Sequence, residues 1–484
     1  MNDDNIISPF DGPTSAPLPF DTPKSAPYKE LEDQVDEAAL RQTFIKNKAE
    51  GTYRIAEFIV KKFDIITIGQ KELELFVYRD GMYFQATNEI IHPETQRILG
   101  PLVTQAAKHE TFGKIAGMTM RPSNVFTSTP TNFINLANGV YDRDTKTLLP
   151  HDPKYKFTHK FPIIYDPEAT CLLTNIFLDQ VLDPEQRATV EEWLGYIFLR
   201  SYMFKKAIIF VGAGDTGKTT LLEVITYLLG PENISSVTLQ KMSSDKFAAA
   251  HLYGKHANLV DELSAKDISD TSAFKIATGG GSISGEYKFG NAFSFQNFSK
   301  LTFATNKIPD VKDFDDEAYF TRWMPLRFEK TIAKKIPNFI ATLTTEQERS
   351  GLFNLAMRGL DRLLENGRFS YALSSAETKL EMMRSASSIA QFAAEMCVRD
   401  DGAELSKEDM YDAYTDFCSK RDVAAETAKM LGTRLPNYVT YLSEGQMMSS
   451  SGLSRTRCWR NVSINKTTNT SQDAEEEWQR LGGN

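Results

Sequence analysis

The sequence predicts an α/β protein organised around a phosphate-binding loop, and three observations predict it. Gly212-Ala213-Gly214-Asp215-Thr216-Gly217-Lys218-Thr219 matches the pattern G-x-x-x-x-G-K-[ST]. Before it, Ala207-Ile208-Ile209-Phe210-Val211 is an unbroken apolar run of buried-strand length. After it, Leu221, Leu222, Val224, Ile225, Leu228 and Leu229 recur at helical spacing until Gly230-Pro231 stops the helix. Glycines let the backbone turn its N–H groups around a phosphate, and the helix N-terminus adds partial positive charge. In such a loop the run from Gly212 to Thr220 contacts the nucleotide. Lys218 reaches its outer phosphates, and Thr219 holds Mg²⁺.

The 484 residues suggest two to four domains. The net charge of −9 argues against a nucleic-acid partner until it is located. Residues 1–42 carry nine acidic and three basic groups, and residues 467–484 carry four and one, so residues 43–466 sum to zero. A neutral centre leaves room for local basic patches. Cys171, Cys397, Cys418 and Cys458 lie far apart and read as buried free thiols, not as a disulfide framework or zinc site. His251 and His256 read as structural. No apolar run reaches membrane-spanning length and no secretory signal pattern opens the chain, so the expectation is a soluble cytoplasmic protein without a membrane partner.

In chain order, residues 1–42 read as a disordered acidic tail. Within it, Pro9–Pro17 is echoed by Pro19–Pro27, either as a solvated linker or as a tandem bait with Phe10 and Phe20 as anchors. Residues 43–165 read as an α/β domain. Leu75–Phe84 forms two strands around an Asp80-Gly81 turn, and Thr131–Ala137 is a strand closed by Asn138-Gly139. No catalytic signature is visible there, neither a primase carboxylate pair nor a nuclease cluster. Residues 166–205 read as a helical collar opened by Asp183 and Pro184 as N-cap and first-turn residue, with Val190, Trp193, Leu194, Ile197 and Phe198 on its apolar face.

Residues 206–330 read as the ATPase core. Asn258-Leu259-Val260-Asp261-Glu262 is a strand ending in two carboxylates, suited to metal coordination by Asp261 and water activation by Glu262. Glu286–Asn291 and Phe293–Phe295 read as a hairpin with Lys288 and Phe289 near its tip. That hairpin either grips a single-stranded phosphate backbone or is a solvated surface feature. Leu301–Asn306 is a strand whose Asn306 could orient a water or sense the γ-phosphate. Arg322 opens a further strand and reads either as a finger toward a neighbouring subunit's nucleotide or as a surface ion pair. Residues 331–375 read as helical. Residues 376–466 read as a compact DNA-binding module with Arg455, Arg457 and Arg460 on a basic strand, or else as a structural domain with a basic edge.

Taken together, Gly212–Thr219, Asp261-Glu262, Gly279-Gly280 with Lys288 and Phe295, Asn306 and Arg322 resemble the superfamily 3 helicases, most closely the poxvirus, phage and plasmid primase-helicase type. Residues 45–465 share the likeness. It implies an AAA+ P-loop core, a C-terminal winged-helix-like domain, ATP and Mg²⁺ as cofactors, and a homo-oligomer, expected to be a hexamer, moving 3′ to 5′ on single-stranded and forked DNA. A separate primase, polymerase or single-strand-binding protein is a plausible partner. The family often carries two arginines at the finger; here the first position is Thr321, which leaves Arg322 as the better candidate and Arg327 as the second. An origin-binding switch or loader that remodels DNA without processive unwinding stays open as the alternative. A small-molecule phosphotransferase would need an arginine-rich lid, which is absent from the sequence.

Overall fold

A computed structural model describes residues 37–69, 73–127, 130–245, 247–263, 270–288, 292–309, 316–330, 332, 338–421, 423–448 and 455–465. The tandem Pro/Phe repeat, Phe289 and the acidic segment 467–484 therefore lie outside the described residues. The chain divides into two compact units: the described residues before 130 together with 151–158, and residues 130–150 with those described from 159 onward.

In the first unit, helices Glu37–Lys46 and Lys48–Lys62 precede an antiparallel sheet of Ile65–Ile68, Glu74–Arg79 and Met82–Gln85. The helix beginning at Glu37 corrects the reading of residues 1–42 as tail throughout, because Leu40 and Phe44 are buried in the apolar core of this unit. The hairpin turn is as the sequence demands. Asp80 and Gly81 both take positive φ, 52° and 87°, which a two-residue turn matched to strand twist requires. Helices His92–Leu99 and Gln105–Thr119 complete the unit.

The second unit contains the phosphate loop. A five-stranded parallel sheet runs in the order Trp323–Arg327, Ala207–Val211, Lys300–Thr305, Ala257–Val260, Ile234–Ser235. Its strands alternate strictly. Ile208, Phe210 and Leu326 enter one apolar cluster, while Ala207, Ile209, Val211, Phe303 and Trp323 enter another on the opposite face. Both faces are covered, which explains why the strands read as continuous apolar runs.

One covering layer is the helix pair Leu172–Val181 and Pro184–Phe198 with the long helix Glu346–Asn366. Glycines set their approach: a Cβ on Gly195 would lie 2.2 Å from the Ala356 carbonyl oxygen, and one on Gly359 would lie 2.4 Å from that of Glu191. Arg362 joins the pair through Glu192 at 2.7 Å and Glu191 at 3.1 Å. Trp193 donates to the Thr302 hydroxyl at 2.9 Å and so ties this layer to the central strand. Asp183 holds the N-cap position before Pro184, but its side chain makes no capping bond and lies 3.3 Å from the Lys330 ammonium instead.

Residues 133–149 form an antiparallel sheet of three strands that belongs to this unit. The boundary read at residue 165 is thereby corrected. Ile134, Leu136, Phe161 and Ile163 are buried in the same cluster as Trp193 and Ile208, and the chain enters this unit at 130, leaves it for 151–158 and re-enters it at 159. Asn138 clamps the Tyr165 backbone from both sides, accepting at 3.0 Å and donating at 3.1 Å.

The last part of the unit runs helix Ser388–Met396, strand Cys397–Ser406, helices Lys407–Lys420 and Ala428–Tyr438, then strands Ser443–Met448 and Arg455–Ile464. Its apolar residues Met410, Tyr414, Leu431 and Trp459 join the cluster behind the parallel sheet.

Candidate functional site

The phosphate loop leaves the carboxyl end of strand Ala207–Val211, where open α/β sheets present their crevice. Asp215 and Gly217 take left-handed φ of 61° and 95°, which turns the loop into helix Lys218–Leu229. Gly212 is pressed so closely under Phe328 that a Cβ would lie 2.2 Å from that residue's carbonyl oxygen. The Lys218 ammonium is buried and donates to the carbonyls of Gly212 at 2.8 Å and Ala213 at 2.6 Å. Burial lowers its pKa, and the nearby Asp261 and Asp215 carboxylates pull the other way. Thr216 braces the loop by donating to Ala213 at 3.0 Å.

Thr219 donates its hydroxyl to an Asp261 carboxylate oxygen at 3.0 Å. Asp261 and Glu262 follow strand Ala257–Val260 directly and are both exposed. Strand Lys300–Thr305 is inserted between the loop strand and this acidic strand, which delivers Asn306 between them. A cavity of about 500 Å³ gathers Gly214 to Thr220, Asp261, Glu262, Thr305 and Asn306. The donor set fits a Mg²⁺ held by one carboxylate, one hydroxyl and nucleotide oxygens, with water completing its octahedral shell. Among the described residues, no group of three or more His, Cys, Asp or Glu side chains could hold a metal by itself.

Sequence reasoning missed the far wall of the cavity. Phe177, Gln180, Ile332 and Phe339 line it, with the Phe177 and Phe339 rings 6.1 Å apart. Phe177 had a usable signal only as part of an apolar helix. That helix is itself held by a distant residue: Glu348 accepts from the Leu173 and Thr174 N–H groups at 3.0 Å and caps its N-terminus.

The structure separates the other site residues from the cavity. Arg322 precedes the strand that pairs Trp323 with Ala207 and Arg327 with Val211, so it lies at the amino end of the sheet. Five residues of strand, about 16 Å at roughly 3.3 Å each, stand between it and the loop of its own chain. Arg327 lies at the loop end but is held by Glu381 and Glu329. Lys288 is exposed beside hairpin Ser282–Glu286 and Ala292–Gln296, whereas Phe295 is buried and belongs to the hairpin's base. Of the two histidines read as structural, His256 is buried directly before strand Ala257–Val260, while His251 is exposed in a surface turn. Arg455 and Arg457 are exposed on one strand. Arg460 pairs with Glu404 across the neighbouring strand at 2.9 Å, so its charge is already partly met.

Three family patterns match successive stretches. Residues 58–198 match a D5 N-terminal-like family, residues 210–322 a family of unknown function (DUF5906), and residues 384–480 a poxvirus D5 protein-like family. Among curated proteins, a protein named as helicase L207/L206 of Acanthamoeba polyphaga mimivirus is 27% identical over 227 residues, 44% of this chain and 23% of that protein. A protein named as primase C962R of African swine fever virus is 24% identical over 189 residues, 36% of this chain and 20% of that protein. The matched part thus spans about a quarter or less of these relatives' length. The solved apo structure of the NrS-1 C-terminal region is similar over 85% of this chain and 99% of its own, with 12% identity and a TM-score of 0.47. Among the described residues, no helix is long and apolar enough to cross a membrane.

Proposed function

We propose that this chain is the ATP-driven helicase part of a D5-type viral replication primase-helicase. The observation that carries it is the convergence of Lys218, Thr219, Asp261, Glu262 and Asn306 on one cavity at the carboxyl edge of the parallel sheet. The D5-type matches on either side of that core, and relatives named as a helicase and a primase, support the same reading.

Bound ATP would supply an electrophilic phosphorus, and Mg²⁺ would neutralise negative charge on its phosphate oxygens. The chain's own residues do the rest. Lys218 swings from the loop carbonyls to the outer phosphates. Thr219 and Asp261 hold the metal, Glu262 takes a proton from water, and Asn306 orients that water. Phe177 and Phe339 give the nucleobase an apolar wall. Arg322 cannot reach this cavity within its own chain, so in this reading it serves a neighbour's, and the working form is a ring, with six subunits as the expectation. Lys288 contacts the single strand. Arg455 and Arg457 anchor DNA from the C-terminal module, whose helix–strand–helix–helix–strand–strand order suits a winged-helix-like domain.

An ATP-dependent strand-displacement assay on forked DNA tests the reading; displacement in the 3′ to 5′ direction is expected. Arg322→Ala should bind ATP but hydrolyse it about 10³–10⁵-fold more slowly, and mixing with Lys218→Ala subunits should restore part of the rate. DNA-stimulated hydrolysis without displacement would favour the switch or loader instead.

A further inference from the structure

Arg322 is placed by a helix of its own. The one-turn helix Glu317–Phe320 runs directly into it: the Thr321 and Arg322 N–H groups donate to the carbonyls of Glu317 at 2.9 Å and Tyr319 at 3.1 Å. The Arg322 guanidinium folds back onto the Ala318 carbonyl of the same helix, and its Nε is buried without a hydrogen-bond partner. Among the described residues no carboxylate pairs with Arg322, so the surface ion pair left open for it by the sequence is not formed there. A cation left in this state is available to another chain, but it is only as well aimed as the helix that carries it.

One carboxylate fixes that helix from outside. Asp316 holds its N-cap position and divides its two oxygens. Oδ1 accepts from the Tyr319 N–H at 3.1 Å and starts the helix. Oδ2 accepts from the Thr271 hydroxyl at 2.6 Å and the Lys275 ammonium at 2.7 Å. Lys275 lies in helix Ser272–Thr278, and Thr271 holds the N-cap position of that helix. The Asp316 side chain is only 9% exposed, so water competes little for these bonds. Burial raises the Asp316 pKa, but the bonds from Lys275, Thr271 and the Tyr319 N–H outweigh it and hold the carboxyl below its ordinary value. Beside this clamp, Phe274 stacks on Trp323 with centroids 4.5 Å apart and planes 12° from parallel, and it meets Tyr319 at 5.3 Å. Arg322 is thus braced on both sides, at Tyr319 and at Trp323, from one helix distant in sequence.

We propose that Asp316 and Lys275, with Thr271 beside them, are positioning residues for Arg322: their clamp sets where the guanidinium points when it serves a neighbouring subunit's nucleotide. The proposal rests on the finger reading of Arg322 and names what aims the finger. An arginine acting on another subunit finds no contact in its own cavity to align it, so its aim has to come from the fold behind it. A displacement of about 1 Å is enough to cost about 10²-fold in rate. Charge-assisted bonds at a shielded carboxylate are short and strong, which suits them to holding such an aim.

The test measures ATP hydrolysis by the full chain. Lys275→Met keeps the stem and removes the ammonium; Asp316→Asn keeps an oxygen for the Tyr319 cap and removes the charge. Each should lose about 10²-fold in kcat with KM for ATP unchanged, while Lys275→Arg, which keeps the bond, runs as wild type. Melting temperatures identify the folded variants. Lys275→Met mixed with Lys218→Ala subunits should recover part of the rate, because a sound finger then meets a sound loop. Mixed with Arg322→Ala subunits it should recover none, because both then lack an aimed finger. Wild-type turnover in folded Lys275→Met and Asp316→Asn, beside a slow Arg322→Ala, would overturn the clamp alone. So would slow variants that Arg322→Ala subunits rescue and Lys218→Ala subunits do not. Wild-type turnover in Arg322→Ala itself would overturn the finger reading, and the clamp's role with it.

Discussion

The two ends of one parallel sheet carry ionisable residues on the same strands and treat them in opposite ways. At the carboxyl end, Lys218, Asp261 and Glu262 open into a cavity, with a carboxylate near the lysine and a hydroxyl bonded to that carboxylate. At the amino end, His256 directly before strand Ala257–Val260 and Lys300 at the start of strand Lys300–Thr305 are both fully buried. The Lys300 ammonium nitrogen donates to the carbonyls of Leu199 at 2.6 Å and Phe298 at 2.8 Å and sits 4.4 Å from the Tyr196 ring centre. Burial drives its pKa well down, and it does the same to His256, which packs 4.4 Å from the His159 ring. Burial pushes His159 down to about 3 and Arg200 down to about 10. The lesson is that charge type does not mark a site. At the cavity end Asp261 and Glu262 face solvent and only Lys218 is buried, whereas the sealed edge buries His159, His256 and Lys300 together and holds Lys300 as a hydrogen-bond donor.

The largest expected effect breaks the carboxyl end. Lys218→Ala should cut ATP turnover by about 10²–10³-fold or more while melting as wild type, because its amine bonds only to the loop it serves. Normal turnover in the folded variant would remove the site. The amino end should respond to acid instead. Below the ordinary histidine value near 6.5, the unfolded chain takes up protons that the buried neutral rings refuse. Stability present at neutral pH should therefore fall as the pH drops from about 6.5 toward 3, by on the order of 2 kcal/mol for His159 by pH 5. Denaturant unfolding at several pH values measures this, and a His159→Phe variant should flatten the dependence. A profile that is already flat in wild type would mean that the edge is open to water. The smallest effect sharpens the contrast. Lys300→Met leaves two carbonyls unpaired and should cost about 1–3 kcal/mol of stability, with turnover unchanged below the melt. Lost turnover at unchanged stability would show that the amino end takes part in the chemistry.

By itself the sequence determined what short-range rules can encode. The apolar run, the glycines and the helical spacing specify strand, loop and helix around Lys218, because each depends on neighbours a few residues away. The carboxylates at Asp261 and Glu262 and the Asp80-Gly81 turn were legible for the same reason. The tertiary structure alone decided which distant residues meet. Strand order put Asn306 beside the acidic pair and Arg322 at the far edge. A helix read only as collar brought Phe177 to the cavity, and Glu348 from 174 residues away capped that helix. Lys300 reads as an ordinary polar start to a strand, yet the fold seals it, and Tyr253 reads as one more loop aromatic, yet the fold sets it beside Lys288's hairpin. Burial and long-range pairing are sums over the whole packed chain, so no local pattern carries them.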